Sequence, residues 1–195
     1  MSKIKYFSTD EIRNFFQAVT RAKSVRDMLF FSLVYHYGLR LGEATGLKLE
    51  DLTESGQILI RRLKGGTPRT FDMSIEDRKL LNRWLRKREK YPNAANNEYL
   101  FITSRSGPDH LSQSMAKKLH TKYCDLGGIN SDKRCNIHAW RHSTAIQLLM
   151  KGYDINFVKH YMGHRSLQST LVYAELMPPE WTKLSKKAVE TAFSI

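Results

Sequence analysis

His164 and Tyr173 stand nine residues apart near the end of a 195-residue chain, and His138 and Arg141 stand three apart upstream, in HAWRH. Arg40 follows an apolar stretch in YHYGLR, and Lys64 lies in LKGGTPR beside two glycines and a proline. These side chains suit the cleavage of a phosphodiester without a bound metal. That reaction needs a side-chain nucleophile, fixed donors for the charge developing on the nonbridging oxygens, and a proton for the leaving oxygen. A phenol can be the nucleophile. Arginine's planar fork meets two phosphate oxygens at once and stays charged, so two arginines replace much of what metal ions do in other phosphoryl transfers. An ammonium beside a hairpin turn can reach into a site and deliver a proton. On a helix, His138 and Arg141 share one face.

The elements that must position these groups are legible in the patterning. Ser8 and Glu11 form a capping box ahead of Ile12, Phe15, Phe16 and Val19 at helical spacing. VRDMLFFSLVYHYG is apolar on most faces, which predicts a central helix with Gly38 just past its end and a short helix from about Leu41. Two alternating runs flanking Gly65, Gly66 and Pro68 predict a β-hairpin with Lys64 beside its turn. SIEDRKLLNRWLRKREK predicts a capped helix with Leu81, Trp84 and Leu85 inward and a basic outer face, and EYLFITS a short strand. Helices are expected over LSQSMAKKLHTKYCDLGG, from His138 onward, over DINFVKHYMG and SLQSTLVYAEL, and over a C-terminal segment whose Trp181, Leu184, Ala188 and Val189 make one stripe. The fold class expected is mainly α with a small antiparallel β-sheet (α+β).

The net charge of +13 is too lopsided for a typical metabolic enzyme and points to a polyanion, most simply nucleic acid, or to an anionic membrane surface. No apolar run approaches a membrane span and MSKIKYF lacks a signal-peptide core, so a soluble, cytoplasmic protein is expected. Two cysteines, Cys124 and Cys135, suggest no disulfide framework.

GLRLGEATGL, LKGGTPR and HAWRHSTAIQLLMKGYDINFVKHYMGHRSLQSTLVY together resemble the catalytic domain of the tyrosine recombinase (phage-type integrase) family, over about residues 8–180. Each piece alone is weak; the ordered set is strong. The resemblance implies that Arg40 and Arg141 clamp a scissile phosphate, and that Lys64 protonates the departing 5′-oxygen. It implies that His138 assists proton transfer at the tyrosine, that His164 donates to the phosphate, and that Tyr173 forms a 3′-phosphotyrosyl bond with DNA. Glu43 matches an acidic residue that orients the site. The implied partner is double-stranded DNA with inverted-repeat sites, bound by a homo-oligomer, a tetramer on DNA and a monomer when free. No cofactor, nucleotide or metal is implied. The domain reading is a catalytic domain over 1–177 and a C-terminal helix over 178–195 that docks on a neighbouring protomer or packs on its own domain. Only seven residues precede Ser8, so no N-terminal core-binding domain is expected, as in fimbrial-switch recombinases or a catalytic fragment. Trp140 stands where the family usually has leucine.

Blander readings stand beside these. Tyr173 alone fits a buried core aromatic. Arg40 can be a local ion-pair partner of Glu43. Arg61, Arg62 and Arg69 compete with Lys64 if the hairpin register shifts. His160 and His164 form H-x-x-x-H, but Tyr161 stands where a zincin has glutamate. His120 with Cys124, and Cys135 with His138, make two pairs of zinc-ligand types at no standard spacing. The basic stretch from Arg78 to Lys90, with Lys117, Lys118 and Lys122, is either a solvated surface or a set of phosphate contacts. Two other functions use related side chains: a type IB topoisomerase-like relaxing enzyme, and a catalytically silent DNA-binding regulator on the same fold.

Overall fold

Ser8 starts the first helix as the sequence predicts. Its hydroxyl accepts from the amide of Glu11 at 3.3 Å, and its own amide donates to the Glu11 carboxylate at 2.8 Å. The computed structural model describes residues 4–63, 67–103, 110–129 and 136–174. It divides into two units, Met1–Thr144 and Ala145–Ile195.

In the first unit, helix α1 (Thr9–Arg21) buries Ile12, Phe15, Ala18 and Val19. Helix α2 (Val25–His36) has Leu29, Phe30, Phe31 and Leu33 wholly buried, as its all-round apolar character requires. It ends where Gly38 turns left-handed (φ 57°), a conformation that costs glycine least. Helix α3 (Leu41–Thr45) and one 3-10 turn (Leu49–Asp51) lead into the hairpin. Strand β1 (Gln57–Ile60) pairs antiparallel with β2 (Arg69–Asp72), Gln57 facing Asp72 and Ile60 facing Arg69. Helix α4 (Ile75–Arg88) packs on α2, helix α5 (Gln113–Leu126) packs on α1 and α3, and helix α6 (Ala139–Met150) opens at the end of this unit.

The core is aromatic. Phe15 meets Phe31 and Trp140 edge-on at 4.9 and 4.7 Å, and Trp140 stacks on Phe7 at 4.3 Å. Each such pair adds about 0.5–1.5 kcal/mol beyond the area it buries. His120 packs edge-on to Phe7 within this cluster, with its Nε2 3.5 Å from the sulfur of Cys124. Both are buried, so this pair is part of the core.

Two sequence expectations change. EYLFITS forms no strand among its described residues: Tyr99 makes one isolated bridge to Lys48, and Leu100 donates to Leu47 O. Lys48 borders the 3-10 turn, so no second extended segment lies alongside to continue a ladder. Arg88, counted with the basic face of α4, instead turns inward and is 4% exposed. Its guanidinium donates to the carbonyls of Ala94, Asn97 and Tyr99, satisfying a loop that has no ladder of its own. Lys79, Arg83, Arg86 and Lys87 remain exposed, while Leu81 and Trp84 are buried as expected.

In the second unit, helix α7 (Ile155–Met162) is capped by Asp154, whose carboxylate accepts from the amides of Asn156 and Phe157. It ends at left-handed Gly163 (φ 65°) and packs on helix α8 (Gln168–Ala174). The mainly α architecture with one small antiparallel sheet agrees with the expected fold class. Among the described residues no helix is long and apolar enough to cross a membrane. The C-terminal helix expected over 178–195 lies outside the described residues.

Candidate active site

Arg40 enters helix α3 in extended conformation, and its amide donates to Glu43 Oε2 at 2.9 Å. Its guanidinium donates through Nη1 to Glu43 Oε1 at 2.7 Å. This is no exposed surface pair: the Glu43 side chain is 1% exposed and that of Arg40 26%. A guanidinium tethered at one nitrogen and still partly open can offer its other N–H groups to an anion.

Glu43 also accepts from Arg62 Nη1 at 2.9 Å and from the amide of Leu63 at 3.2 Å. One carboxylate therefore ties Arg40 to the root of the hairpin loop. Burial alone would raise the Glu43 carboxyl, but the Arg40 amide and the Arg62 charge outweigh it and hold the group below the usual carboxylate range.

Arg141 lies on helix α6, 2% exposed, and its Nη1 donates to the carbonyl of Gly38. Gly38 precedes Arg40 by two residues, at most about 7 Å of extended chain. Arg141, near the end of the first unit's sequence, is thus bound to the short segment that carries Arg40. Trp140 fixes the helix that carries Arg141, burying its indole against Phe7 and Phe15. The hydroxyl of Thr144 donates to Tyr35 O, and Ser143 accepts from the amide of Phe7 at 2.7 Å.

His138 is exposed, one residue before α6, and its carbonyl accepts from the amides of Arg141 and His142. Its ring meets the ring of His142 edge-on at 4.8 Å. Burial, with His138 and Arg141 alongside, pulls the His142 imidazole down to about 4.

In the second unit, His164 follows the left-handed Gly163, and its Nδ1 lies 2.9 Å from the hydroxyl of Thr170. The rings of His164 and Tyr173 are 6.3 Å apart and nearly parallel, and Tyr173 is 3% exposed.

Lys64 lies outside the described residues. Its neighbours narrow the hairpin alternatives nonetheless. Arg61 pairs with Asp51 at 2.7 Å and Glu50 at 3.0 Å, and Arg62 is buried against Glu43. Sequence reasoning missed what Arg62, His142 and Thr170 touch. A signal existed for Arg62: Ile58, Ile60 and Arg62 fall at alternate positions and all are buried, so the strand's inward face continues past its last ladder pair. Thr170 sits three residues before Tyr173 on the same helix, the spacing of side chains that share a face.

Comparisons with known proteins place the chain in a family. The family model described as "Phage integrase family" matches residues 5–179. The type 1 fimbriae regulatory protein FimE of Escherichia coli K12 is 29% identical over 175 residues, covering 89% of this chain and 86% of FimE. Tyrosine recombinase XerA of Pyrococcus horikoshii is 32% identical over 190 residues, covering 96% of this chain but 61% of XerA. The site-specific recombinase XerH, solved bound to difH substrate in a pre-cleavage complex, superposes with a TM-score of 0.74 and 28% identity, over 87% of this chain and 50% of the XerH chain. The chain belongs to the phage integrase family, the tyrosine recombinases, and has the fold of their catalytic domain.

Proposed function

We propose that this chain cleaves and rejoins duplex DNA at specific sites through a 3′-phosphotyrosyl intermediate. Tyr173 attacks the scissile phosphorus through its phenolic oxygen, and the bond to the 5′-oxygen breaks. His138 assists removal of the phenolic proton, and Lys64 supplies a proton to the departing 5′-oxygen. Arg40 and Arg141 neutralise the nonbridging oxygens, with His164 as a further donor. The phosphodiester energy is kept in the protein–DNA bond, so rejoining needs neither nucleotide nor metal. The DNA carries inverted sites, and the chain works as a tetramer on it and as a monomer when free. Residues 1–177 form the catalytic part and residues 178–195 link protomers. The cytoplasm is the compartment this reading implies.

The observation that carries the proposal is the bond from Arg141 to the carbonyl of Gly38, two residues ahead of Arg40. Two guanidinium groups with no mutual attraction are held to one short segment, an arrangement that an anion between them would stabilise. The net charge supports a polyanion partner, and XerH was solved on DNA. The test uses plasmid carrying the DNA that flanks the gene for this chain. A covalent protein–DNA band on a denaturing gel is expected for the wild type, persisting in chelator and absent in Tyr173→Phe. Joining of two specific sites separates a recombinase from an enzyme that relaxes any supercoiled plasmid. No covalent band on any such DNA would sink the proposal and leave a silent DNA-binding regulator.

A further inference from the structure

His142 is absorbed by none of the roles above, yet it sits between Arg141 and the core-facing Ser143 in HAWRHS. His138 is exposed and lies outside α6, and an exposed side chain at a helix start ordinarily exchanges rotamers on the picosecond to nanosecond scale. Such exchange lowers the fraction of time an imidazole is aimed at the proton it must meet. His138 does not stand alone, however. One helical turn on, the half-buried ring of His142 meets it edge-on, with centroids 4.8 Å apart and an interplanar angle of 87°.

We propose that His142 is a positioning residue: its imidazole is the wall against which His138 rests, fixing the His138 ring at the mouth of the helix that carries Arg141. This rests on the phosphoryl-transfer reading of the site.

The wall is itself anchored. Trp140 and Ser143 flank it in sequence and are both 0% exposed, so the backbone of this turn follows the core. The low basicity of His142 supports the same role. Burial, and then the His138 and Arg141 charges, keep the ring neutral at physiological pH. A neutral aromatic wall adds no positive charge beside His138 and Arg141, so it steadies His138 without discouraging its protonation. A lysine or a charged histidine there would do the reverse.

The test has two arms, of which the first needs no DNA. In free protein labelled with ¹⁵N-histidine, long-range ¹H–¹⁵N spectra read the tautomer and titration of His138, assigned by its loss in His138→Gln. The wild type is expected to show a His138 ring held in one dominant tautomer. His142→Ala is expected to shift those signals and weaken the preference for one tautomer, and His142→Phe, which keeps a neutral ring, to preserve them. If His142→Ala does not fold, His142→Gln takes its place as a ringless variant of similar length. In the second arm, covalent adduct formation is followed on the flanking-DNA plasmid. The ringless variant is expected to form adduct about ten- to a hundredfold more slowly, the range a small misplacement produces, with DNA affinity unchanged. His142→Phe should stay close to the wild type. Unaltered His138 signals in the ringless variant, or equal losses in Phe and Ala, overturn the proposal. A wild type that forms no adduct defeats the functional reading instead, and the ring spectra still decide the role of His142.

Discussion

Glu43 Oε2 accepts from Arg62 Nη1 at 2.9 Å, and the two side chains are 1% and 0% exposed. The pair sits with Arg40, which shares the same carboxylate, so one buried anion serves two guanidinium groups and the three residues keep one net positive charge. Its removal is the sharpest test of the site's foundations. Glu43→Gln keeps the shape but leaves the buried Arg62 guanidinium without a counter-charge, a loss of about 3–5 kcal/mol. Urea unfolding should show it. The double variant Glu43→Gln, Arg62→Leu should recover part of that stability while adduct formation stays depressed, because Arg40 is still without its tether. Full recovery of both would make the pair merely structural.

Trp140 carries the burden of holding α6 against α1. Trp140→Ala removes the stack on Phe7 and the edge contact with Phe15, and a loss of about 3–5 kcal/mol in denaturant unfolding is expected. Trp140→Leu restores the residue usual in this family and should lose less. A neutral Trp140→Ala would mean that the helix is held by other contacts.

Asp77 joins α2 to α4. It is 0% exposed and accepts from His36 Nδ1 at 2.8 Å, from Tyr37 OH at 3.1 Å and from the Ser32 hydroxyl. Burial would raise its carboxyl, but the His36 hydrogen bond and charge, with the hydroxyls of Ser32 and Ser74, hold it below the usual range. A depressed folded value gives stability that is present above the unfolded value of about 3.9 and lost as pH falls through the folded one. Asp77→Asn should cost about 1.5–3 kcal/mol at neutral pH, the range for hydrogen bonds to a charged group, and little in strong acid. Equal losses at both pH values would contradict the linkage.

His142 acts in the same direction as Asp77, over a higher window. Its folded value of about 4 lies below the unfolded value of about 6.5, so the unfolded chain binds the extra proton. Stability should therefore rise with pH between those values. Comparing wild type with His142→Phe isolates the slope, since Glu43 and Asp77 are common to both. Parallel stability curves from pH 4 to 7 would count against a buried neutral ring.

Thr170 is 0% exposed, and its hydroxyl meets His164 Nδ1. Thr170→Val keeps the volume and removes the partner, at an expected cost of about 1–2 kcal/mol by thermal melting. If His164 serves the phosphate, adduct formation should slow while DNA affinity holds. Thr170→Ser should retain the wild-type rate.

The elements of the first unit were legible because each is set by local physics. The capping box at Ser8, the apolar α2 and the hairpin alternation need no distant partner to be recognised. EYLFITS failed as a strand because strand formation requires a second extended segment, which local sequence cannot supply. Arg88 failed as a surface cation because its partners, three loop carbonyls, lie 6 to 11 residues on in a segment without periodicity. The ordered set Arg40, Lys64, His138, Arg141, His164 and Tyr173 was proposed from type, spacing and family resemblance, but what its described members touch was not legible.

By itself the sequence determined which groups are present, their order, the helices that bear them, and a charge suited to a polyanion. Those features follow from residue type and short-range periodicity. Only the tertiary structure decided that Arg141 reaches back to the carbonyl of Gly38 across 103 residues of chain, and that Arg62 rather than solvent answers Glu43. Such pairings depend on which buried polar groups meet once the aromatic core has closed, and a donor has no means of naming its acceptor until packing excludes water from both.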